Sequence, residues 1–552
     1  MNVLRGRTIA VLLAAAASIA APLPAQEIDV VERTLSNGMK VLIVERHDQP
    51  TVSCGWLARV GSANERPGIT GLAHLFEHMM FKGTKTIGTK DAARDLELNG
   101  MQDEVQVLIR EEMAVLREKQ RRGEIADMMD PAARTPRLGE LLAKFDALVA
   151  QQRALIVKDE MDKIYQENGS TGLNASTSND RTFYIVGIPS NKVELWAWLE
   201  SDRLANPVFR EFYSERNVIL EERRQTLESR PGGTVNEAFN AMTWMAHPYH
   251  WQVIGWPSDI AQVTREQGSE FFATYYAPNN LTAILVGDLD PEKTHALMEK
   301  YFGRIPANPK GVPPVVTMEP VQPAEQRMVA EVEMTPSAEA SYKAVPAVHG
   351  DAAALQVLGV VLGGAPMTGR PGMGGPTRPP SGRLHRALVL DQKAATRASA
   401  YFRGQKYGGL FTVSATPAPG KRPGEVEPLL YAELDKVVKE GISDDELARA
   451  KNALRVAFYT RLESNSGIRE SLAQAESSGT YRDLLDSPKK VEAVTRDDVQ
   501  RVAKKYLVKE SRSVLLTTRK GGGEGMPRRR PGGMPPGAPP APAAAPVPEV
   551  KG

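Results

Sequence analysis

A pattern that occurs twice along the chain constrains its fold more than any other feature. The run Val-Thr-Arg-Glu at 263–266 precedes a helical stretch that ends near Tyr275, and Val-Thr-Arg-Asp at 494–497 precedes one that ends near Tyr506. The two threonines and the two tyrosines are the same number of residues apart. In both copies the threonine suits a helix N-cap, and a β-rich run follows the helix. The repetition predicts two homologous halves.

A proline-rich stretch at 305–326 separates these halves and has the composition of a linker. Each half combines amphipathic helices with β-rich runs that are clustered and do not alternate strictly with the helices. This arrangement predicts an α+β fold of two duplicated domains, 26–304 and 327–520, each a mostly antiparallel sheet with helices packed on one face. The predicted strands include residues 39–44, 182–187, 281–286, 328–334 and 409–415.

The two ends of the chain do not have the composition of a folded domain. Residues 1–25 combine Arg5 and Arg7 with an apolar stretch and the small residue Ala25, which indicates a cleavable signal peptide. Because the apolar stretch is shorter than the ~20 residues of a spanning helix, no stable membrane span is expected. Residues 521–552 are rich in glycine and proline and predict a disordered tail.

Composition limits both the compartment and the partners. The single cysteine, Cys54, excludes an intramolecular disulfide and a cysteine-based zinc cluster. An exported chain without disulfides fits the bacterial periplasm. The 552 residues include 69 Lys and Arg against 67 Asp and Glu, a net charge of +2 that gives no reason to expect a nucleic acid partner.

Two insertions interrupt the repeated pattern. Residues 102–168 are charged, with aliphatic residues at helical spacing, and Pro131 and Pro136 divide them into two helices, which predicts a helical hairpin. Residues 363–382 are rich in glycine and proline and predict a mobile loop.

Two of the eight histidines have the spacing of metal ligands. His74 and His78 are four residues apart, so a helix places both imidazoles on one face, where they can bind one Zn²⁺. Glu77 precedes His78 and can reach a metal-bound water without being a ligand. This H-x-x-E-H order is the inverted form of the zinc protease motif.

A catalytic zinc ion needs a third protein ligand and an open position. No other histidines show a comparable pattern, so the candidates are carboxylates. Glu215 and Glu222 are two helical turns apart on one face of a predicted helix, whereas Glu221 points about 100° away from Glu222. Taken alone, this segment is more typical of an ordinary charged surface helix.

A longer stretch around the histidines resembles a known family. Gly-Leu-Ala-His-Leu-Phe-Glu-His-Met-Met-Phe-Lys-Gly at 71–83 is similar to the signature of the pitrilysin, or insulinase-like, zinc metallopeptidases. The resemblance continues through residues 173–178, 215–222, 247–249 and 276–280. It implies that Glu222 completes the zinc site and that Glu215 supports it. The gap between His78 and Glu222 is roughly twice the family's usual gap, and the insertion at 102–168 accounts for the excess.

The resemblance implies a zinc endopeptidase that hydrolyses peptides or unfolded polypeptides in the periplasm, with one Zn²⁺ per chain. Glu77 would take a proton from the zinc-bound water and return it to the leaving amine. Asn174 and Ala175 lie in a run that resembles the family's substrate-binding edge strand, to which extended peptides add through backbone hydrogen bonds. The alternative is a non-catalytic assembly subunit, which would be free to lose the metal ligands that this chain retains.

The resemblance also implies a partner chain. In the family, the inactive second half supplies an arginine and, seven residues later, a tyrosine that hold the substrate carbonyl. The register of the run at 381–388 places these positions at Val389 and Thr396, and neither side chain can replace the expected donor. A related subunit in a heterodimer is therefore expected to supply the Arg/Tyr pair, with a homodimer as the alternative.

Overall fold

Eleven strands form two sheets within residues 28–365 and 382–520, the ranges that this computed structural model describes. The predicted signal peptide at 1–25, the predicted tail at 521–552 and residues 366–381 of the predicted loop lie outside these ranges. None of the helices within them is long and apolar enough to cross a membrane.

The first sheet has six strands in the order β1-β2-β6-β3-β5-β4, and all neighbours are antiparallel except β2 and β6. Its strands are β1 (Val31–Thr34), β2 (Lys40–Glu45), β3 (Thr51–Ala58), β4 (Thr171–Thr177), β5 (Thr182–Pro189) and β6 (Leu281–Gly287). The helices of this half are α1 (Leu72–Met79), α2 (Ala92–Arg121), α3 (Pro136–Leu155), α4 (Glu160–Glu167), α5 (Val193–Ala205), α6 (Phe212–Arg223), α7 (Gly233–Thr243), α8 (Pro257–Gln262), α9 (Arg265–Tyr275) and α10 (Pro291–Phe302).

The second sheet repeats this topology with five strands in the order β7-β11-β8-β10-β9. Its strands are β7 (Gln326–Val332), β8 (Ser337–Ala344), β9 (Ala395–Gly404), β10 (Gly409–Pro417) and β11 (Arg512–Arg519). The helices are α11 (Ala352–Gly363), α12 (Pro423–Glu440), α13 (Asp444–Arg461), α14 (Asn465–Ser478), α15 (Tyr481–Glu492) and α16 (Arg496–Tyr506). Strands β2 and β7 occupy equivalent positions in the two sheets. Each pairs parallel with the strand that comes last along the chain in its sheet, β2 with β6 and β7 with β11.

The repeated sequence pattern forms the same structure in both halves. Thr264 and Thr495 each accept a hydrogen bond from the backbone of the third helical residue, and the side chain of that residue, Gln267 or Asp498, bonds back to the threonine N–H. Helices α9 and α16 then lead into β6 and β11. The predicted α+β fold with two duplicated, mostly antiparallel sheets is confirmed.

The first sheet is buried on both faces. One face packs against helices of its own half, through residues such as Val41 and Trp56. The other face packs against the second half, where Ile468 and Leu472 of α14 contact Ile284 and its neighbours. Strand β6 is therefore buried along its whole length and apolar at nearly every position.

A helical hairpin is built into the first half. Helices α2 and α3 run antiparallel, since Arg94 near the start of α2 donates to Gln151 near the end of α3. Helix α2 begins at Ala92, well before the predicted start of the insertion at 102, because Asp91 caps its N-terminus by accepting a hydrogen bond from the Arg94 N–H. The early turns of α2 belong to the core of the first half.

The segment between α10 and β7 contains no helix or strand and contacts both halves. Glu319 in this segment accepts hydrogen bonds from the backbone N–H groups of Met245, Ala246 and His247 in the first half. Its other contact is Lys343 of β8, whose Nζ lies 2.7 Å away. The connection between the halves is therefore fixed at its middle.

Candidate metal centre and active site

Helix α1, which carries the H-x-x-E-H motif, begins at a glycine. Gly71 has a φ of +87°, and a Cβ at this position would lie 2.6 Å from the carbonyl oxygen of Ile254, so the site favours glycine. The carboxylate of the buried Glu65 accepts hydrogen bonds from the N–H groups of Gly71 and Ala73, at 2.9 and 2.7 Å. These bonds satisfy two of the free donors at the helix start and fix the direction of α1.

Helix α6 brings Glu222 to the two histidines of α1. Oε2 of Glu222 lies 3.8 Å from Nε2 of His74 and 3.5 Å from Nε2 of His78, and the three potential ligand atoms lie within 4.8 Å of one another. Zinc bonds of ~2.0–2.2 Å in a tetrahedral arrangement separate the ligand atoms by about 3.4 Å. The donor set and its spacing therefore fit a single Zn²⁺ with only small adjustments.

The His74 imidazole is in the protonation state that metal binding requires. Burial, together with the neighbouring His78, lowers its pKa to about 4, so the ring is neutral at pH 7. A neutral imidazole offers an unprotonated nitrogen to a metal ion.

Glu215 and Lys82 hold the second histidine from behind. Nδ1 of His78 lies 3.3 Å from Oε2 of Glu215, and Nζ of Lys82 lies 2.5 Å from Oε1 of the same carboxylate. Burial alone would lower the pKa of His78, but the hydrogen bond and charge of Glu215 outweigh burial and raise it. A carboxylate behind a histidine fixes the ring orientation and makes it a stronger ligand.

Glu77 lies in the same cavity as His74 and Glu222 but outside the ligand group. Thr177, at the end of β4, donates a hydrogen bond from Oγ1 to Oε2 of Glu77 over 2.6 Å. Burial raises the pKa of Glu77, and the bond from Thr177 acts in the opposite direction. The carboxylate is thus oriented by the strand through its Oε2.

The cavity has a volume of about 580 Å³ and is bordered by an open sheet edge. Strand β4 is the last strand of the first sheet, and within the described ranges no strand pairs with its outer side. Ala175, Ser176 and Thr177 of this strand line the cavity, and Asn174 is exposed beside them. Of the two predicted substrate-binding residues, one therefore lines the cavity and the other adjoins it.

The structure separates the two adjacent carboxylates of α6. Glu221 is exposed and accepts hydrogen bonds from Arg224 and Gln225, whereas Glu222 faces the histidines. In the second half, Val389 packs against that half's core and Thr396 is exposed on β9. The described residues that line the cavity include neither Val389 nor Thr396.

Sequence reasoning missed two residues of this site, Lys82 and Thr177. Both lie inside the runs that carry the family resemblance, and Lys82 is one helical turn beyond His78. That spacing could have indicated that Lys82 and His78 contact the same carboxylate. Thr177 gave no such signal, because its partner Glu77 lies 100 residues earlier in the chain.

Comparison with known proteins identifies the family. Residues 40–168 match the insulinase family (peptidase family M16), and residues 262–454 match the peptidase M16 inactive domain. Zinc protease PqqE of Helicobacter pylori is 25% identical over 489 residues, which cover 88% of this chain and 91% of the relative.

Solved structures show the same fold. A protease from Helicobacter pylori superposes with a TM-score of 0.69 at 24% identity, covering 89% of this chain and 100% of that one. The periplasmic protease PqqL from Escherichia coli superposes with a TM-score of 0.62 at 17% identity, and the match covers 90% of this chain but 48% of PqqL. On the two family matches and the shared fold, this chain belongs to the insulinase-like M16 peptidase family.

Proposed function

We propose that this protein is a zinc endopeptidase that holds one Zn²⁺ per chain through His74, His78 and Glu222. The observation that carries the proposal is the group of three ligand atoms within 4.8 Å of one another, in a cavity that Glu77 also lines. The name of the Helicobacter pylori relative, a zinc protease, supports the same metal and reaction.

The residues around this site suit peptide hydrolysis. A bound Zn²⁺ supplies Lewis acidity, which polarises a water molecule and the scissile carbonyl. Glu77 acts as the general base: its Oε1, which is free of the bond to Thr177, takes a proton from the attacking water and returns it to the leaving amine. Glu215 holds His78 by Nδ1, which leaves Nε2 for the metal.

Peptides and unfolded polypeptides are the proposed substrates. The outer side of β4 pairs with no strand in the described part of the chain, and an extended peptide can add there, beside the metal site, as a further strand. Asn174 and Ala175 would contact it. Such backbone pairing selects an extended conformation more than a sequence.

We further propose a periplasmic location and a related subunit as partner. The predicted signal peptide at 1–25 and the periplasmic relative PqqL support the location. The partner is proposed because Val389 and Thr396 stand where the family has its arginine and tyrosine. This chain matches 48% of the length of PqqL, so PqqL is long enough to contain two such units in one chain. The partner subunit would supply the pair, and a homodimer is the alternative.

Matched variants of the purified full chain, assayed for cleavage together with candidate partner chains, test the metal site and the base separately. Glu222→Gln should lose zinc, whereas Glu221→Gln, which changes the adjacent exposed carboxylate, should keep both zinc and activity. Glu77→Gln should keep zinc and lose cleavage of a peptide library. Loss of zinc from Glu221→Gln but not from Glu222→Gln would contradict the assignment of the third ligand.

The same preparation tests the partner and the alternative function. Full peptidase activity of the chain alone would contradict the proposal that a partner subunit supplies the Arg/Tyr pair. A chain that binds zinc but cleaves no peptide, alone or with candidate partner chains, would favour a non-catalytic assembly subunit.

A further inference from the structure

A second cavity of about 690 Å³ lies between the helical hairpin and the helix that carries Glu222. One wall is α3, with Val149, Ala150 and Arg153, and the other wall is the outer face of α6. Glu222 lines both this cavity and the metal-site cavity, so the two adjoin at the third proposed zinc ligand.

The hairpin wall is fixed against the first half by buried polar contacts. Gln152, next to Arg153, donates hydrogen bonds to Asp95 and Asn99 of α2 at 2.8 Å each. Asp95 in turn forms a buried ion pair with Arg210, Oδ2 to Nε, at 2.7 Å. Buried networks of this kind rigidify the elements they join. The cavity therefore has two walls held at a fixed separation.

Packing of aromatic rings adds to this rigidity. Phe145 of α3 meets Tyr213 of α6 edge to face, with ring centroids 5.8 Å apart. The Tyr213 hydroxyl donates to Asp103 of α2. The two helices of the hairpin and the proposed zinc-binding helix are thus joined in one packed unit.

The lining combines apolar surface, free polar groups and three carboxylates, those of Asp146, Glu221 and Glu222. Val149 and Val218 provide the apolar part, and Val218 is exposed to the cavity. The side chains of Ser214, Asn217 and Arg153 have no hydrogen-bond partner or ion pair in the described part of the chain. An apolar surface with a few free donors and acceptors is typical of a site that binds a ligand with its own amide groups.

We infer that the hairpin of α2 and α3 forms one wall of a substrate groove, in which a polypeptide continues from the metal site past Glu222 into the second cavity. This inference rests on the proposed peptidase function. Because the second cavity adjoins the metal site at Glu222, the occupant that fits it is the substrate chain itself. A polypeptide that is long enough to fill both cavities should bind more tightly than one that fills only the first. The hairpin would then select substrates by length.

Binding to the Glu77→Gln variant tests the groove without requiring cleavage. The probes are a fluorescein-labelled unstructured peptide of about sixteen residues and its central segment of about six, which span about 50 and 20 Å when extended. The long peptide should bind about tenfold tighter, a difference of about 1.4 kcal/mol. Adding Ala150→Trp should remove this advantage, whereas Ala143→Trp, on the same helix and exposed but outside the cavity, should preserve it.

A second readout covers the case in which the tryptophan variant does not fold. The only cysteine of the chain, Cys54, is buried, so an Ala150→Cys variant carries a single accessible thiol. The long peptide should slow alkylation of this variant and not of Ala143→Cys. Equal affinities of the two peptides, or alkylation that the long peptide does not slow, would overturn the groove.

Cleavage by the wild-type chain, measured with candidate partner chains present, separates this inference from the proposed function. Length-dependent binding without cleavage, even with candidate partner chains present, would count against the peptidase and support the groove. Cleavage of both peptides with equal kcat/KM would support the peptidase and overturn the groove.

Discussion

Thr177 of β4 and Glu77 of α1 are joined by a hydrogen bond of 2.6 Å, in which the threonine hydroxyl donates to the carboxylate. This bond connects the open sheet edge, where a peptide is proposed to add, with the proposed general base. The carboxylate that would accept the proton is therefore held by the strand that would hold the substrate. Thr177 is a positioning residue in this arrangement.

Thr177→Val should lower kcat by about ten- to a hundredfold, within the range that a well-placed general base contributes. Valine has nearly the same shape but cannot donate, so the Glu77 carboxylate would lose its fixed orientation. Zinc content should stay at one per chain, and KM should change little. Thr177→Ser keeps the hydroxyl and should retain most of the activity. A serine variant as impaired as the valine variant would show that the methyl group, and not the hydrogen bond, matters.

Lys82→Met should weaken zinc binding by about ten- to a hundredfold, the usual effect of removing a group behind a metal ligand. Without the Lys82 ammonium, Glu215 loses its contact at Oε1 and holds His78 less firmly. Competition with a chromogenic chelator measures the affinity. Lys85→Met is the matched control, since Lys85 is exposed and has no ion pair within residues 28–365 and 382–520. Equal zinc affinity of the two variants would contradict this role of Lys82.

The features that could be predicted from sequence are those encoded over short distances. The spacing of His74 and His78 within one helix turn places both rings on one face, and the N-caps at Thr264 and Thr495 mark the start of equivalent helices. The family resemblance then indicated Glu222 as the third ligand. Local spacing alone could not distinguish that helix from an ordinary surface helix.

Contacts between distant segments could not be predicted. The apolar positions Ile468 and Leu472 show that one face of α14 is buried, but no periodicity indicates that this face lies on the first sheet. Lys40 and the buried Glu476, at 3.1 Å, pair across the same boundary between the halves. The burial of the turns of α2 before residue 102 could not be predicted for a related reason, since the buried partner of Asp95 is Arg210, far along the chain.

Arg210→Met should destabilise the first half by about 3–5 kcal/mol, because it leaves the carboxylate of Asp95 buried without its charge partner. Arg210 also donates to the carbonyl oxygens of Thr84 and Ile87, so the loop that follows α1 would lose its anchor. Urea unfolding measures the change. Arg94→Met, at an exposed position of the same hairpin, should shift stability by about 0.5 kcal/mol or less. A similar shift in both variants would show that the buried pair contributes little.

Glu446→Gln should destabilise the second half at neutral pH and less so in acid. Arg383 donates two hydrogen bonds to the Glu446 carboxylate, at 2.5 and 2.6 Å, and these bonds lower its pKa from 4.5 to about 2. A carboxyl group whose pKa is lower in the folded state stabilises the fold above its unfolded pKa. That stabilisation is lost as the pH falls from about 4.5 toward 2.

The cost at pH 7 should be on the order of 2 kcal/mol, since the pair is partly exposed and a pKa difference of this size sets an upper limit of about 3 kcal/mol. At pH 3 the difference in unfolding free energy between wild type and Glu446→Gln should be clearly smaller, because the wild-type carboxylate then contributes only part of its stabilisation. Urea unfolding at both pH values measures it. Glu440→Gln, at an exposed position without an ion pair in the described part of the chain, should give the same small effect at both. If the loss of unfolding free energy in Glu446→Gln is the same at pH 7 and pH 3, the variant is destabilised by altered packing and not by the loss of the negative charge.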